Sequence, residues 1–296
     1  MRFGMTALEF GPTVNRIVVD GVPDFSRFNM AEIVREAAQI RHLSAIELTL
    51  DIGYIIPGAM NQKAIAMLGE LRDEMGFTYT AHLPLWSIDL ATFNQHIRRG
   101  GIECTVDAIK TVEPLQPENY VLHSSGALAA EFSRLELPGN MGMLVSGFMS
   151  TFSLASVQEI LARTEIDPRR VAIENVEFPF EFTRDVVDEC GTSICFDTGH
   201  LLARYSGSES VLEFYRKHRD RITEIHLHDG SYRKDTAIAV RQDHKALGVG
   251  QLPIREFLME LVRNDFKGPA IFELTTDETL RSLEVVEKVV PEALRT

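Results

Sequence analysis

Sulfur is scarce in this chain: Cys104, Cys190 and Cys195 are its three cysteines among 296 residues, and no two form a CxxC pair. An odd, widely spaced set is unlike the disulfide framework of a secreted scaffold, so a reducing cytoplasm is the expected compartment. Cations are short as well. The 30 Lys and Arg face 43 Asp and Glu, a formal net charge of −13. Such a field repels a phosphodiester polymer and an anionic membrane, which both need neutralising cations along a face. Neither nucleic acid nor membrane is expected as a partner. No apolar run reaches the roughly 20 residues that span a bilayer, and Met1-Arg2-Phe3-Gly4-Met5 opens without a basic region and a long apolar stretch, so no export signal is expected. Repeats, low-complexity tracts and Gly/Ser linkers are also missing.

What is present is a chain able to bury a core: 45% of it is hydrophobic and 25% charged, with none of the composition of disorder. Its length sits near the upper limit of one continuous core, which favours a single domain over residues 1–296. Short apolar or β-branched runs alternate with longer amphipathic segments, the signature of a parallel sheet with crossover helices. The runs are Phe3 to Leu8, Ala45 to Leu50, Thr78 to Leu83, Tyr120 to His123, Val171 to Val176, Ser193 to Asp197, Ile222 to Leu227 and Ala270 to Leu274. Eight strand-helix units on this length argue for an α/β fold, a single (β/α)8 TIM barrel. Asn29 with Glu32, and Ser156 with Glu159, each read as a capping box that starts a helix. After Asp277, the spacing of Leu280, Leu283, Val286 and Val290 lays an apolar stripe against the sheet. One stretch, Ser124 to Thr151, is irregular and unusually apolar. It reads as an insertion after strand 4, a loop, lid or extra helix at the barrel mouth.

The nine histidines are the most informative feature. His42, His96 and His218 lie in helical patterns among charged neighbours and read as surface. The others gather at strand ends. His82 and His123 end the third and fourth strands, His200 follows the sixth, His226 and His228 end the seventh, and His244 lies in the loop beyond. Acids fall at the same ends: Glu174, Asp197, Asp229 and Glu273. A barrel turns all these ends to one face, so residues scattered from 82 to 273 converge. Imidazoles mixed with carboxylates suit Zn2+, Mn2+ or Fe2+, and cysteine is absent from these ends. Burying several carboxylates together without a cation would cost several kcal/mol. A metal centre is therefore expected. His228 shares a strand face with His226 and is expected to support a ligand.

The series Ala81-His82-Leu83-Pro84, Val121-Leu122-His123, Ile173-Glu174-Asn175, Phe196-Asp197-Thr198-Gly199-His200, Ile225-His226-Leu227-His228-Asp229, Asp243 to Gly250 and Ile271-Phe272-Glu273 resembles the xylose isomerase-like TIM-barrel superfamily. That group includes the endonuclease IV enzymes and many sugar isomerases and epimerases. The endonuclease IV branch implies two or three ions: one on His82, His123 and Glu174, a second on Glu174, Asp197, His226 and Glu273, and a third on His200, His244 and an acid just before His244. Here the sequence departs, since Gln242 stands where that branch has its aspartate and Asp243 comes one residue late. The isomerase branch implies one ion on the second set, with Glu174 and Glu273 moving a proton and His200 orienting the sugar. It also often places an arginine six residues after the seventh-strand histidine, where this chain has Tyr232, with Arg233 next. His228, Asp229 and Arg233 make up the expected substrate contacts.

Two imidazoles, His82 and His123, exceed what a one-ion site needs and favour a phosphoester hydrolase, in which two or three cations acidify water and screen phosphoryl charge. The acidic surface points away from DNA to a small phosphorylated metabolite, and the methionine-bearing stretch from Leu135 to Met149 to a bulky apolar portion of it. Within the superfamily this combination resembles the cobamide-remodelling phosphodiesterases. A ketose isomerase or epimerase is the alternative.

Overall fold

The computed structural model describes every residue except Leu8, Glu136, Gly139, Thr236, Ala237, Arg295 and Thr296. Among the described residues, eight strands close into a parallel barrel in sequential order. They are Arg2–Thr6, Leu43–Thr49, Thr78–His82, Tyr120–Leu122, Val171–Glu174, Ser193–Asp197, Ile222–His226 and Pro269–Phe272. Each matches one of the eight sequence runs to within a few residues, although Leu8 lies outside the described residues. The helices Met30–Ala38, Gln62–Met75, Gln95–Val112, Met141–Thr164, Phe180–Cys190, Val211–His218, Ile254–Arg263 and Thr276–Val289 follow the strands in turn.

Side-chain alternation explains both the core and the site. Along each strand, successive residues point to opposite faces. Ile46, Leu48, Tyr79, Ile173, Ile194, Phe196, Ile225 and Phe272 point outward and are buried under the helices. There Phe196 stacks on Phe214 at 4.5 Å between ring centroids. The intervening residues face the barrel axis, where Val121, Ala172 and Cys195 form a small apolar plug. Gly4 is required on the first strand, because a Cβ there would lie 2.4 Å from the Ala45 carbonyl oxygen. Glu47, Thr80, Glu174, Asp197, Glu224 and His226 share the axial face, and all are fully or almost fully buried.

Several local expectations need correction. Asn29 does cap the helix Met30–Ala38, accepting from the Ala31 N–H. Ser156 caps nothing; it lies inside the 24-residue helix Met141–Thr164, and its hydroxyl donates to the Leu90 carbonyl. The reciprocal capping boxes are Ser210/Glu213 and Thr275/Glu278. Leu280 is 44% exposed, leaving Leu283, Val286 and Val290 as the buried stripe. His218 is buried against Phe180 and Phe214 rather than on the surface.

The 124–151 stretch is largely helical, with Ala127–Ser133 and the start of Met141–Thr164 flanking the undescribed Glu136 and Gly139. Its Ala129 and Met149 join Ala91, Val176 and Phe178 in a satellite core. The helix Met141–Thr164 is long and apolar enough, by composition, to cross a membrane, which the run-length reading did not foresee. In the fold it packs against the helices Gln95–Val112 and Phe180–Cys190 as a barrel helix.

Candidate metal centre

The inward alternation brings the expected ligands together. Glu174 ends its strand and Asp197 the next. Asn175 ties the two: its side chain accepts from the Asp197 N–H at 2.7 Å and donates to the Asp197 carbonyl at 2.9 Å. Among the described residues, five groups of side chains could each hold an ion, with ligand atoms all within 4.8 Å of one another: His82, His123 and Glu174; Glu174, Asp197, His226 and Glu273; His200, Asp243 and His244; His228, His244 and Glu273; and Glu47, Glu224 and His226. Glu174 belongs to the first two. Its Oε2 lies 2.9 Å from His123 Nε2 and 3.3 Å from His82 Nε2. Its Oε1 lies 3.2 Å from His200 Nδ1 and 3.4 Å from His226 Nδ1.

Hydrogen bonds on the far side of two rings set which nitrogen faces the centre. His82 Nδ1 lies 3.0 Å from the Leu83 carbonyl, which can only accept, so Nε2 is the ligand atom. His226 Nε2 lies 3.3 Å from Glu47 Oε2. Its Nδ1 is thereby turned to Glu273 Oε2 at 3.3 Å and Asp197 Oδ2 at 3.8 Å. A carboxylate behind a ligand imidazole fixes tautomer and orientation and raises basicity.

The electrostatics are those of a cation site closed on protons. Burial alone would raise the Glu174 carboxyl, yet the His226 and His123 charges and the imidazole hydrogen bonds hold it well below the usual carboxylate range. Burial opposes charge on His82 too, but Glu174, Glu47 and Glu273 push it up to about 9. His200 reaches about 9 against the same penalty, beside Asp197 and Glu174. His244 reaches about 11 between Asp243 and Glu273. Even so, Glu174 Oε1, His200 Nδ1 and His226 Nδ1 are buried without a hydrogen-bond partner. Three orphaned donor atoms around one point, on imidazoles and a carboxylate, fit a divalent ion.

The acid of the third group is Asp243, one residue later than the resemblance implied. The hairpin Asp229–Asp235/Ile238–Lys245 changes register between Asp229 and Ser231, and His244 adopts a left-handed φ of 47°. With that local geometry Asp243 Oδ2 lies 3.3 Å from His244 Nδ1 and 3.8 Å from His200 Nε2. Gln242 is exposed and its side chain pairs with Ser231 instead.

The expected substrate contacts are placed elsewhere. His228 is wholly buried. Its Nδ1 accepts from the His244 N–H at 3.0 Å, so its Nε2–H donates to Asp197 Oδ2 at 2.8 Å. Gly199 makes room for that ring, since a Cβ would lie 2.1 Å from it. Asp229 is also wholly buried, its carboxylate accepting from the N–H groups of Gly230, Gly248, Gly250 and Leu252, each at 2.9 Å. It clamps a loop and has no face for substrate. Arg233 is exposed on the hairpin, outside the cavity lining.

Sequence reasoning missed Glu47 and Glu224, both wholly buried. They lie with His226 under the ligands, and burial together with the Glu47 charge pushes Glu224 up to about 8. The signal was available: Glu224 stands two residues before His226, on the same strand face.

Above the ligands opens a cavity of 710 Å3, whose polar lining is His82, His123, Glu174, His200, His244 and Glu273 together with Thr6, Glu9, Thr49, Thr275 and Glu278. Its apolar wall comes from Pro12, Leu85, Trp86 and Leu274 rather than from the described residues of Leu135 to Met149.

The sequence pattern of the xylose isomerase-like TIM barrel family matches residues 34–295. The chain belongs to that family. The uncharacterized protein MJ1311 of Methanocaldococcus jannaschii is 25% identical over 317 residues, covering 99% of this chain and 92% of that protein. Among solved structures, a D-tagatose 3-epimerase-like protein superposes with a TM-score of 0.71 at 20% identity, covering 99% of this chain and 98% of its own. Endonuclease IV from Thermus thermophilus superposes with a TM-score of 0.68 at 17% identity, covering 99% of this chain and 100% of its own. At these identities the likeness is one of fold, and both chemistries weighed from the sequence occur on it.

Proposed function

We propose that this chain is a metal-dependent phosphoester hydrolase acting on a small phosphorylated metabolite. The observation that carries this reading is the sharing of Glu174: one oxygen faces the four-residue ligand set, and the other faces His82 and His123, which a single-ion site leaves without a task. The third group, completed by Asp243, extends the same logic. Divalent ions such as Zn2+, Mn2+ or Fe2+ would supply Lewis acidity there, acidifying water and screening the charge that grows on phosphoryl oxygens. The chain's own part is orientation. Glu174 and Glu273 hold the ligand imidazoles in place, His228 fixes Asp197, Glu47 fixes His226, and the buried floor excludes bulk water. His200 joins the second and third groups through Glu174 and Asp243.

The net charge of −13 favours a small substrate over a nucleic-acid polymer, and the cavity's apolar wall favours one with an apolar portion. A cobamide losing its lower nucleotide loop is the specific candidate. One observation favours a second reading: the set Glu174, Asp197, His226 and Glu273 could by itself hold one ion between two carboxylates, as a sugar epimerase requires. Metal analysis of the purified chain, followed by incubation with adenosylcobamides, an abasic-site DNA duplex and a panel of ketoses, tests both. At least two ions and corrinoid cleavage are expected. One ion with ketose turnover would replace this reading by the epimerase, and rapid DNA cleavage without action on corrinoids would overturn the charge argument.

A further inference from the structure

We infer that Trp86 is a stacking platform for a planar heteroaromatic ring carried by the substrate, an inference that rests on the phosphoester reading. Trp86 is the chain's single tryptophan. It lines the cavity that holds the candidate ligands and is 52% exposed there. It follows His82 by four residues, on the segment leaving the third strand, so the ring and the first ligand group are joined by a short tether.

The tether is pinned. Asp51, only 5% exposed, accepts from the Leu85 N–H and the Trp86 N–H, each at 3.1 Å. The Leu50 N–H donates to the His82 carbonyl at 3.0 Å, tying the Asp51 segment to the strand end. A buried carboxylate holding two consecutive amides fixes the backbone beneath an exposed indole. That is how a binding surface is preorganised, since less freedom is lost when a ligand docks.

The cavity lining combines the ligand imidazoles and carboxylates with the apolar Pro12, Leu85, Trp86 and Leu274, and with Thr6, Glu9, Thr49, Thr275 and Glu278. A substrate filling it presents a phosphoryl group to the ligand side chains and an apolar face to the apolar residues. A flat heteroaromatic ring gains stacking energy on an indole whatever its edge pattern.

The test uses the metal-loaded full chain with AMP, adenosine, ribose 5-phosphate, inorganic phosphate and D-tagatose, read by calorimetry and by tryptophan fluorescence, which reports on Trp86 alone. AMP should quench the emission and bind roughly 10-fold more tightly than ribose 5-phosphate. Trp86→Ala should erase that difference while metal content and inorganic phosphate affinity stay as they are, and Trp86→Phe should restore most of it. The quench in the unsubstituted chain stands even if a variant misfolds. Equal affinity for AMP and ribose 5-phosphate, without quenching, would overturn the platform and leave the phosphoester reading intact. Adenosine binding as tightly as AMP, with quenching, would support the platform and count against the phosphoester reading. Quenching by D-tagatose, bound more tightly than either phosphate, would overturn both.

Discussion

Replacing Glu174 by glutamine removes one charge and leaves the shape, and the structure fixes how many ions should feel it. Glu174 contributes to two groups of ligands and not to the third, which is His200, Asp243 and His244. At about 4 Å and an effective dielectric of about 20, one unit charge contributes about 4 kcal/mol to a partner charge. For a divalent ion that is about 8 kcal/mol; if water and the surviving amide oxygen compensate three quarters of it, each of two sites loses about 2 kcal/mol, or roughly 30-fold in affinity. The amide nitrogen adds to the loss, because whichever way it turns it points N–H groups at imidazoles that must offer lone pairs. Titration of the chelated protein with Zn2+ in competition with a fluorescent chelator, checked by elemental analysis, measures site number and affinity together. Two strongly weakened sites are expected for Glu174→Gln, with the third less affected because it meets Glu174 only through His200. A single weakened site would refute the sharing of Glu174 and with it the central argument for hydrolysis.

Two further outcomes follow from the packing around the ligands. His228→Ala removes a support and frees both the Asp197 carboxylate and the His244 N–H, so activity should fall about 10- to 100-fold with the ions on Glu174 retained; loss of an ion equal to that in Glu174→Gln would make His228 a ligand. Glu224 holds its proton up to about pH 8, against an ordinary 4.5, because burial and the Glu47 charge oppose ionisation. Between these values the unfolded chain has released a proton that the folded chain keeps, so stability falls as pH rises through that window. Glu224→Gln should abolish this contribution. Its melting temperature in chelator, relative to the unsubstituted chain, should rise from pH 5 to pH 8, corresponding to at most about 1.4 kcal/mol per pH unit. A difference independent of pH would show that Glu224 is ionised in the fold.

The barrel was legible because its signal is redundant. Eight apolar runs with helical patterns between them leave few alternatives, and ligands at the C-terminal ends of parallel strands must converge. What escaped the sequence was local and depended on backbone geometry. The hairpin Asp229–Asp235/Ile238–Lys245 carries a register change that a count from Leu247-Gly248 cannot anticipate, and so Asp243 looked misplaced. Ser156 and Glu159 have the spacing of a capping box, yet they sit inside a helix that begins at Met141, since the apolar residues before them continue the helix instead of forming a separate lid. His218 keeps charged neighbours in sequence while packing on Phe180 and Phe214 in space. Trp86 offered no pattern at all. Only the cavity gives a single aromatic residue on a loop a meaning.

Two of the expected substrate contacts, His228 and Asp229, share one physical feature with the overlooked Asp51 and Glu47, and with Asn175. Asp51, Asn175 and Asp229 each give a buried side chain to backbone amides beside an element of the site: the Leu85-Trp86 segment, the Asp197 strand end, and the loop from Gly248 to Leu252. Glu47 and His228 do the same for ligand side chains. A site assembled from the ends of different strands has no single element to hold its geometry, and a displacement of about 1 Å can cost about 100-fold in rate. Loop carbonyls and amides at a barrel mouth have few backbone partners, so buried carboxylates and amides must supply them. Position at a strand end therefore marks two populations that composition cannot separate: residues that face the cavity, and residues that face the backbone holding the first kind in place. Hydrogen bonding separates them here: the Asp229 carboxylate gives both oxygens to backbone N–H groups, whereas Glu174 and His226 each turn a buried atom without a hydrogen-bond partner to the centre.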